Sequence, residues 1–176
     1  MHDQAGELMK LFVFIVCMAL PLVSQERPVT VVPINQEQLR HLILNRNGNV
    51  LFLNIWATWC KPCTEEFPDI IAVAEKYRQK KSPVEFVAVS ADYSDEIESL
   101  ILPFLKKFPT VPMTLFVADV TSMDAFITSV DSAWSGAVPA TFVFSPEGKK
   151  ERMMIGQHSQ EQFKQQIDSV LEQLHQ

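Results

Sequence analysis

Only three cysteines occur in this 176-residue chain, Cys17, Cys60 and Cys63, and there is no second Cys-x-x-Cys pair. A structural zinc site usually takes four ligands, and His41 and His158 lie far apart in sequence, so the ligand set for a metal is incomplete. Basic runs are missing too. Lys80-Lys81, Lys106-Lys107 and Lys149-Lys150 are isolated pairs, and 15 Lys and Arg against 21 Asp and Glu leave a net charge of −6. That balance argues against a nucleic-acid partner. Repeats, low-complexity tracts and internal linkers are also absent. With 47% apolar and 20% charged residues, the composition is that of one globular domain with a full core.

The uninterrupted apolar run from Leu11 to Val23 is too short to cross a bilayer as a helix, which takes about 20 residues. It matches instead the apolar core of a secretory leader. Asp3 and Glu7 make a poor leader flank, whereas a start at Met9, giving "MKLFVFIV", makes a better one. The expected division is a signal peptide over 1–25 and a working domain over 26–176. A short uncleaved anchor is the competing reading. Either way the domain is expected outside the cytoplasm, periplasmic or on the outer side of a membrane, where thiols can form lasting disulfides. If the leader is cut, Cys17 leaves with it.

From Val29 onward, strand-like and helix-like segments alternate. Val29–Val32 reads as a strand, and Asn35 with Gln38 as a helix cap before the Leu39, Leu42, Ile43 stripe. Val50–Trp56 is nearly continuous in apolar residues, as expected of a strand buried on both faces. A helix follows the cysteines to about Lys80, with a kink expected at Pro68. Val84–Ser90 reads as a strand, and Asp95–Lys107 as a helix interrupted by Pro103. Met113–Val117 is a strand, Asp124–Val130 a short helix, and Thr141–Phe144 and Arg152–Ile155 a hairpin turning at Gly148. Ser159 and Gln162 form a capping box before a last helix to Leu174. The fold class implied is α/β, a central mixed sheet flanked by helices.

The stretch "WATWCKPC", Trp56 to Cys63, joins the buried strand to a helix. A Cys-x-x-Cys pair can hold a metal, form a fixed staple or shuttle electrons. A bridge across so short a loop removes little chain entropy, so it is a weak staple. A helix N-terminus favours an anion, and such settings lower a thiol pKa from about 8.5 to roughly 3.5–7.5. Cys60 is therefore the expected nucleophile and Cys63 the thiol that resolves a mixed disulfide. Pro62 suits the first helical turn, and Lys61 places a positive charge nearby.

"NIWATWCKPCTEEFP" resembles the active-site segment of the thioredoxin superfamily, and most of all the exported thiol–disulfide oxidoreductases related to TlpA and ResA. "GAVPATFVF", Gly136 to Phe144, is similar to the loop and strand that carry that superfamily's cis-proline. The resemblance implies a thioredoxin-like fold with a TlpA-type strand–helix insertion between Val84 and Val117. It implies that Pro139 packs against the cysteines, that Val138 offers its backbone to an extended substrate, and that Trp59 lines and shields the site. Asn54 stands where cytoplasmic thioredoxins usually carry a buried acid. Glu66 matches an acid of ResA-like proteins and is a candidate proton relay to Cys63; the alternative for it is a solvated first-turn glutamate. Trp134 either borders the substrate groove or is simply packed.

Rival readings are a thiol oxidase or isomerase, a copper- or zinc-binding relative, and a peroxide reductase, although the threonine-proline segment expected before a peroxidatic cysteine is lacking. Lys61 and the helix dipole favour an oxidant, whereas Glu66 and the resemblance favour a reductase. The expectation is a monomeric reductase of exported proteins, in cytochrome c maturation or on mispaired disulfides. Its partners would be protein thiols or disulfides and a membrane electron donor, with no cofactor.

Overall fold

The computed structural model describes residues 29–174. The leader-like run, Met9 and Cys17 lie outside the described residues. Among the described residues no helix is long and apolar enough to cross a membrane.

Six strands form one sheet: β1 (Val31–Ile34), β2 (Val50–Trp56), β3 (Val84–Ser90), β4 (Thr114–Ala118), β5 (Ala140–Phe144) and β6 (Lys150–Ile155). Their order is β1-β4-β3-β2-β5-β6. The first four run parallel, while β5 and β6 are antiparallel to their neighbours. The sheet is therefore mixed, as the alternating sequence implied. Strand β4, within the Val84–Val117 stretch expected as an insertion, is wedged between β1 and β3, so that the first strand does not pair with the third.

Every residue of β2 is buried, and the two-residue period of a strand explains where each goes. Leu51, Leu53 and Ile55 meet Leu39 and Ile43 of α1 (Gln36–Leu44) and Phe126 of α4 (Met123–Val130). Val50 and Phe52 face the other way, onto Ile70, Ala74 and Tyr77 of α2 (Lys61–Gln79) and Phe163 and Ile167 of α5 (Gln160–Leu174). Tyr77 ties these two helices, its hydroxyl donating to Asp168. Trp56 lies on the same face near the strand's end, against Phe67 and Phe104 at ring separations of 4.6 and 5.1 Å.

Local signals act as the chemistry requires. Asn35 Oδ1 accepts from Gln38 N at 2.9 Å and Gln38 Oε1 accepts from Asn35 N at 2.9 Å, a reciprocal cap that starts α1. Ser159 and Gln162 repeat that logic ahead of α5. The first strand begins two residues later than the apolar pattern suggested, because its register is set by pairing with β4, Val31 to Leu115 and Ile34 to Ala118. Helix α2 runs continuously through Pro68.

The segment expected as one interrupted helix differs most. It is a 3₁₀ turn at Ser94–Glu96, a π-helical turn at Ile97–Ile101, and only then α3 (Leu102–Leu105). Pro103 has no N–H to give in the α pattern, and the chain widens just before it, where Leu102 N bonds to Ile97 O.

Two turn glycines make opposite demands. Gly48 (φ +84) has open space around a would-be Cβ, whereas at Gly148 (φ +77) that atom would lie 2.8 Å from Ile43 O and 3.0 Å from Leu44 Cα. The β5–β6 turn thus rests directly on the end of α1. Gly48→Ala should cost about 1 kcal/mol, the positive-φ penalty alone. Gly148→Ala should cost about 2–3 kcal/mol, with the backbone clash added. Urea denaturation midpoints of the two variants check the ranking; equal losses would contradict it.

Candidate active site

The site is built where β2 stops and α2 starts. Trp56 O accepts from Ala91 N at 2.7 Å, which holds the end of β2 to the chain leaving β3. Next, Thr58 is clamped to Asp92: its N–H donates to Oδ2 at 2.9 Å and its hydroxyl to Oδ1 at 2.6 Å. Ser90 Oγ also donates to Asp92, which is 2% exposed. A buried carboxylate is costly unless donors surround it, and here the donors belong to the loop it positions. The turn closes with Cys60 N bonding to Ala57 O at 3.3 Å.

Cys60 is the N-cap of α2. Its backbone is extended (φ −88, ψ 102), and its sulfur accepts the Cys63 N–H at 3.2 Å, one of the unpaired donors of the first turn. Pro62 occupies that first turn, where a missing N–H costs nothing. Cys60 and Cys63 are joined as a disulfide with Cα atoms 5.2 Å apart. Cys60 is 6% exposed and Cys63 is fully buried, so of the pair only Cys60 touches solvent.

Beneath the pair lies a polar node inside the core. Asn54 is the one polar residue of β2, and the strand's alternation turns it toward α2. Its Nδ2 donates to Glu66 Oε1 at 3.1 Å and to Thr141 Oγ1 of β5 at 3.0 Å. The other oxygen of Glu66 accepts the backbone N–H of His158 at 3.0 Å. Glu66 is 1% exposed, not a solvated first-turn residue. Burial is the dominant influence and pushes its carboxyl up to about 7, against the two hydrogen bonds, which pull it down. One helical turn from Cys63, Glu66 lies on the same face of α2.

The Val138–Pro139 peptide is cis. Continuing the β2–β5 register, in which Ile55 faces Ala140, Pro139 comes alongside Trp56. Val138 packs against the apolar cluster that holds both cysteines. Trp134 lies beneath this loop rather than at a groove. It is 5% exposed, stacks edge-on to Phe142 at 5.4 Å, and donates its indole N–H to Ala137 O at 2.9 Å.

The two remaining sequence candidates point outward. Trp59 is 68% exposed. Lys61 reaches into water toward Glu65, 3.5 Å away, and solvent screens its charge from Cys60. Sequence reading did not single out Asp92, and it weighed His158 only as a metal ligand. For Asp92 a signal existed in hindsight, an acid flanked by the apolar VEFVAVSA run; for a backbone donor such as His158 N there was none.

The AhpC/TSA family model matches residues 32–151. ResA from Bacillus anthracis, named a thiol-disulfide oxidoreductase, is 30% identical over 124 residues, covering 70% of this chain and 64% of that protein. ResA from Bacillus subtilis (strain 168) is 35% identical over 111 residues, covering 62% and 54%. The chain thus spans less than two thirds of the length of these curated relatives. Among solved structures, a thioredoxin-related protein from Neisseria meningitidis serogroup B has a TM-score of 0.59 at 25% identity, covering 71% of this chain and 87% of that one.

Both buried acids have measurable consequences. Glu66 holds its proton more tightly folded than unfolded, so between about pH 4.5 and 7 the native state binds the extra proton and stability falls as pH rises. Glu66→Gln should flatten that window, removing a pH-dependent loss of about 2 kcal/mol in chemical denaturation at pH 5 and pH 8. Asp92→Ala leaves the half-buried donors of Thr58 and the buried hydroxyl of Ser90 unpaired and should cost about 2–4 kcal/mol. An unchanged denaturation midpoint for that variant would contradict the clamp.

Proposed function

The chain belongs to the AhpC/TSA family, and from that premise we propose that it is a thiol–disulfide oxidoreductase working as a reductase of exported proteins. The observation that carries this reading is the graded burial of Cys60 and Cys63 at the tip of α2, the first partly exposed and the second sealed. The names of its ResA relatives agree with it.

In the reduced protein, Cys60 is the attacking thiolate, favoured by the helix terminus and the Cys63 N–H. It displaces one sulfur of a partner disulfide; the partner's S–S bond breaks, a Cys60–partner bond forms, and the departing thiolate takes up a proton. Cys63 then gives its proton to Glu66 and attacks Cys60. The second partner sulfur leaves as a thiol, and the Cys60–Cys63 disulfide is restored. Two electrons have passed to the partner, and a dithiol donor must return them, with a membrane protein as the expected source. A fully buried Cys63 needs an internal base, and a carboxyl at about 7 both takes and returns a proton near neutrality.

Val138 supports the role expected of it: among the described residues its backbone N–H has no partner, which leaves it free for an extended substrate strand. Pro139 and Pro62 hold the walls of the site, and Trp59 stands at its rim. Lys61 has the weakest support, since its charge is spent in water. On this reading residues 1–25 are an export leader, 26–176 the working domain, and apocytochrome c or mispaired exported proteins the substrates.

Cys60→Ser should abolish reduction of insulin disulfides, while Cys63→Ser should accumulate a mixed disulfide visible by mass spectrometry. The reduction potential of the pair should lie below about −200 mV; a value near the −120 mV of strong oxidants, with poor insulin reduction, would overturn the reductase direction.

A further inference from the structure

The bonds from Thr58 to Asp92 join two loops, and the next residue in each is an exposed aromatic: Trp59 at 68% and Tyr93 at 77%. Both therefore leave the same hydrogen-bonded junction, and Trp59 directly precedes Cys60. Two exposed aromatics leaving one junction offer apolar area that a partner can cover.

The surrounding charge has one sign. Glu96 accepts the Tyr93 N–H at 3.0 Å, and Ser94 Oγ donates to Asp119 at 3.4 Å, which brings the end of β4 to the same rim. Asp95, Glu98 and Asp119 are exposed, and among the described residues none of the three pairs with a cation. No Lys, Arg or His occurs between Lys81 and Lys106. Lys61, next to Cys60, is paired with Glu65.

Topology contributes to this segregation. The parallel strands end at the site, while α2 runs away from it and carries Lys80-Lys81 to the opposite end; Lys107 is held over the Phe104 ring, 5.4 Å from its centroid. Lys149, in the turn after β5, is also at that far end, since Phe144 pairs with Leu51.

We propose that the Trp59–Tyr93 rim with Asp95, Glu96, Glu98 and Asp119 is a docking surface for an extended, cationic polypeptide segment that carries the reacting disulfide. The inference rests on the redox reading of Cys60 and Cys63 and adds the class of partner. Acid groups attract its Lys and Arg residues, the two rings take their stems or guanidinium planes, and the free Val138 N–H pairs with its backbone. Facing charges of this kind raise encounter rates and lose their effect in salt.

The test uses three disulfide-closed Cys-x-x-Cys peptides flanked by lysine, glutamate or serine, reduced by the full chain in its dithiol form. At low salt the lysine peptide should react about tenfold or more faster than the glutamate peptide, with the ratio collapsing at about 0.5 M salt. In the Asp95→Asn/Glu98→Gln/Asp119→Asn triple variant the ratio should fall to near one, whereas Glu172→Gln, on the far part of α5, should keep it. A ratio near one in the unaltered protein, or one that survives the triple variant, overturns the surface. Docking is read separately by amide NMR shifts at Thr58, Tyr93 and Glu98 on adding the lysine peptide with serines in place of its cysteines. Shifts without reduction of any peptide would sink the redox reading and uphold the surface. Absent shifts overturn the surface.

Discussion

Strand β2 is hydrogen-bonded on both sides and covered on both faces, and the reactive end of the molecule depends on that confinement. Parallel pairing to β3 and antiparallel pairing to β5 leave its register no freedom, because a slip by one residue would turn Leu51, Leu53 and Ile55 onto the wrong helices. The strand's last residue, Trp56, is therefore held in place. So is everything chained to it: the Thr58 clamp, the Cys60 cap and the first turn of α2. Because β5 is the other neighbour, Pro139 arrives beside Trp56 by the same pairing.

Around this rigid junction the protein keeps two buried acids in contrasting settings. Asp92 is surrounded by N–H and O–H donors and works as a fastener of the loop before Cys60. Glu66 has two donors but is more strongly desolvated than compensated, so its carboxyl is raised to about 7. Environment, not residue type, separates a group that fastens from one suited to moving a proton. Asn54 connects these demands to the sheet, since it spends its amide on Glu66 and Thr141 in a position otherwise fit for an apolar side chain.

Much of the fold was legible along the chain. The two-sided apolar run of β2, the caps at Asn35 and Ser159, and the turn at Gly148 each fix an element through contacts a few residues apart. Legibility failed where partners are distant. The start of β1 is decided by β4, some eighty residues on in the chain. The 94–105 segment looked like one broken helix because an apolar pattern does not report whether hydrogen bonds span three, four or five residues. Trp134 was ambiguous because an indole suits a groove and a core alike; its bond to Ala137 O places it in the core.

At the site, the sequence alone determined where the dithiol lies: a helix N-terminus after a buried strand, a Cys-x-x-Cys pair, and a proline loop far along the chain are local patterns with local causes. Only the tertiary structure decided how those atoms are tuned. The solvation of Glu66, the clamp from Asp92 and the reach of Lys61 depend on what lies across space, and desolvation is a property of a packed environment. "WCKPC" thus specifies a dithiol at a helix tip. Which of its neighbours are buried beside it, which hold the loop and which stand in solvent is settled by the way β2, β3 and β5 meet at one end of the sheet.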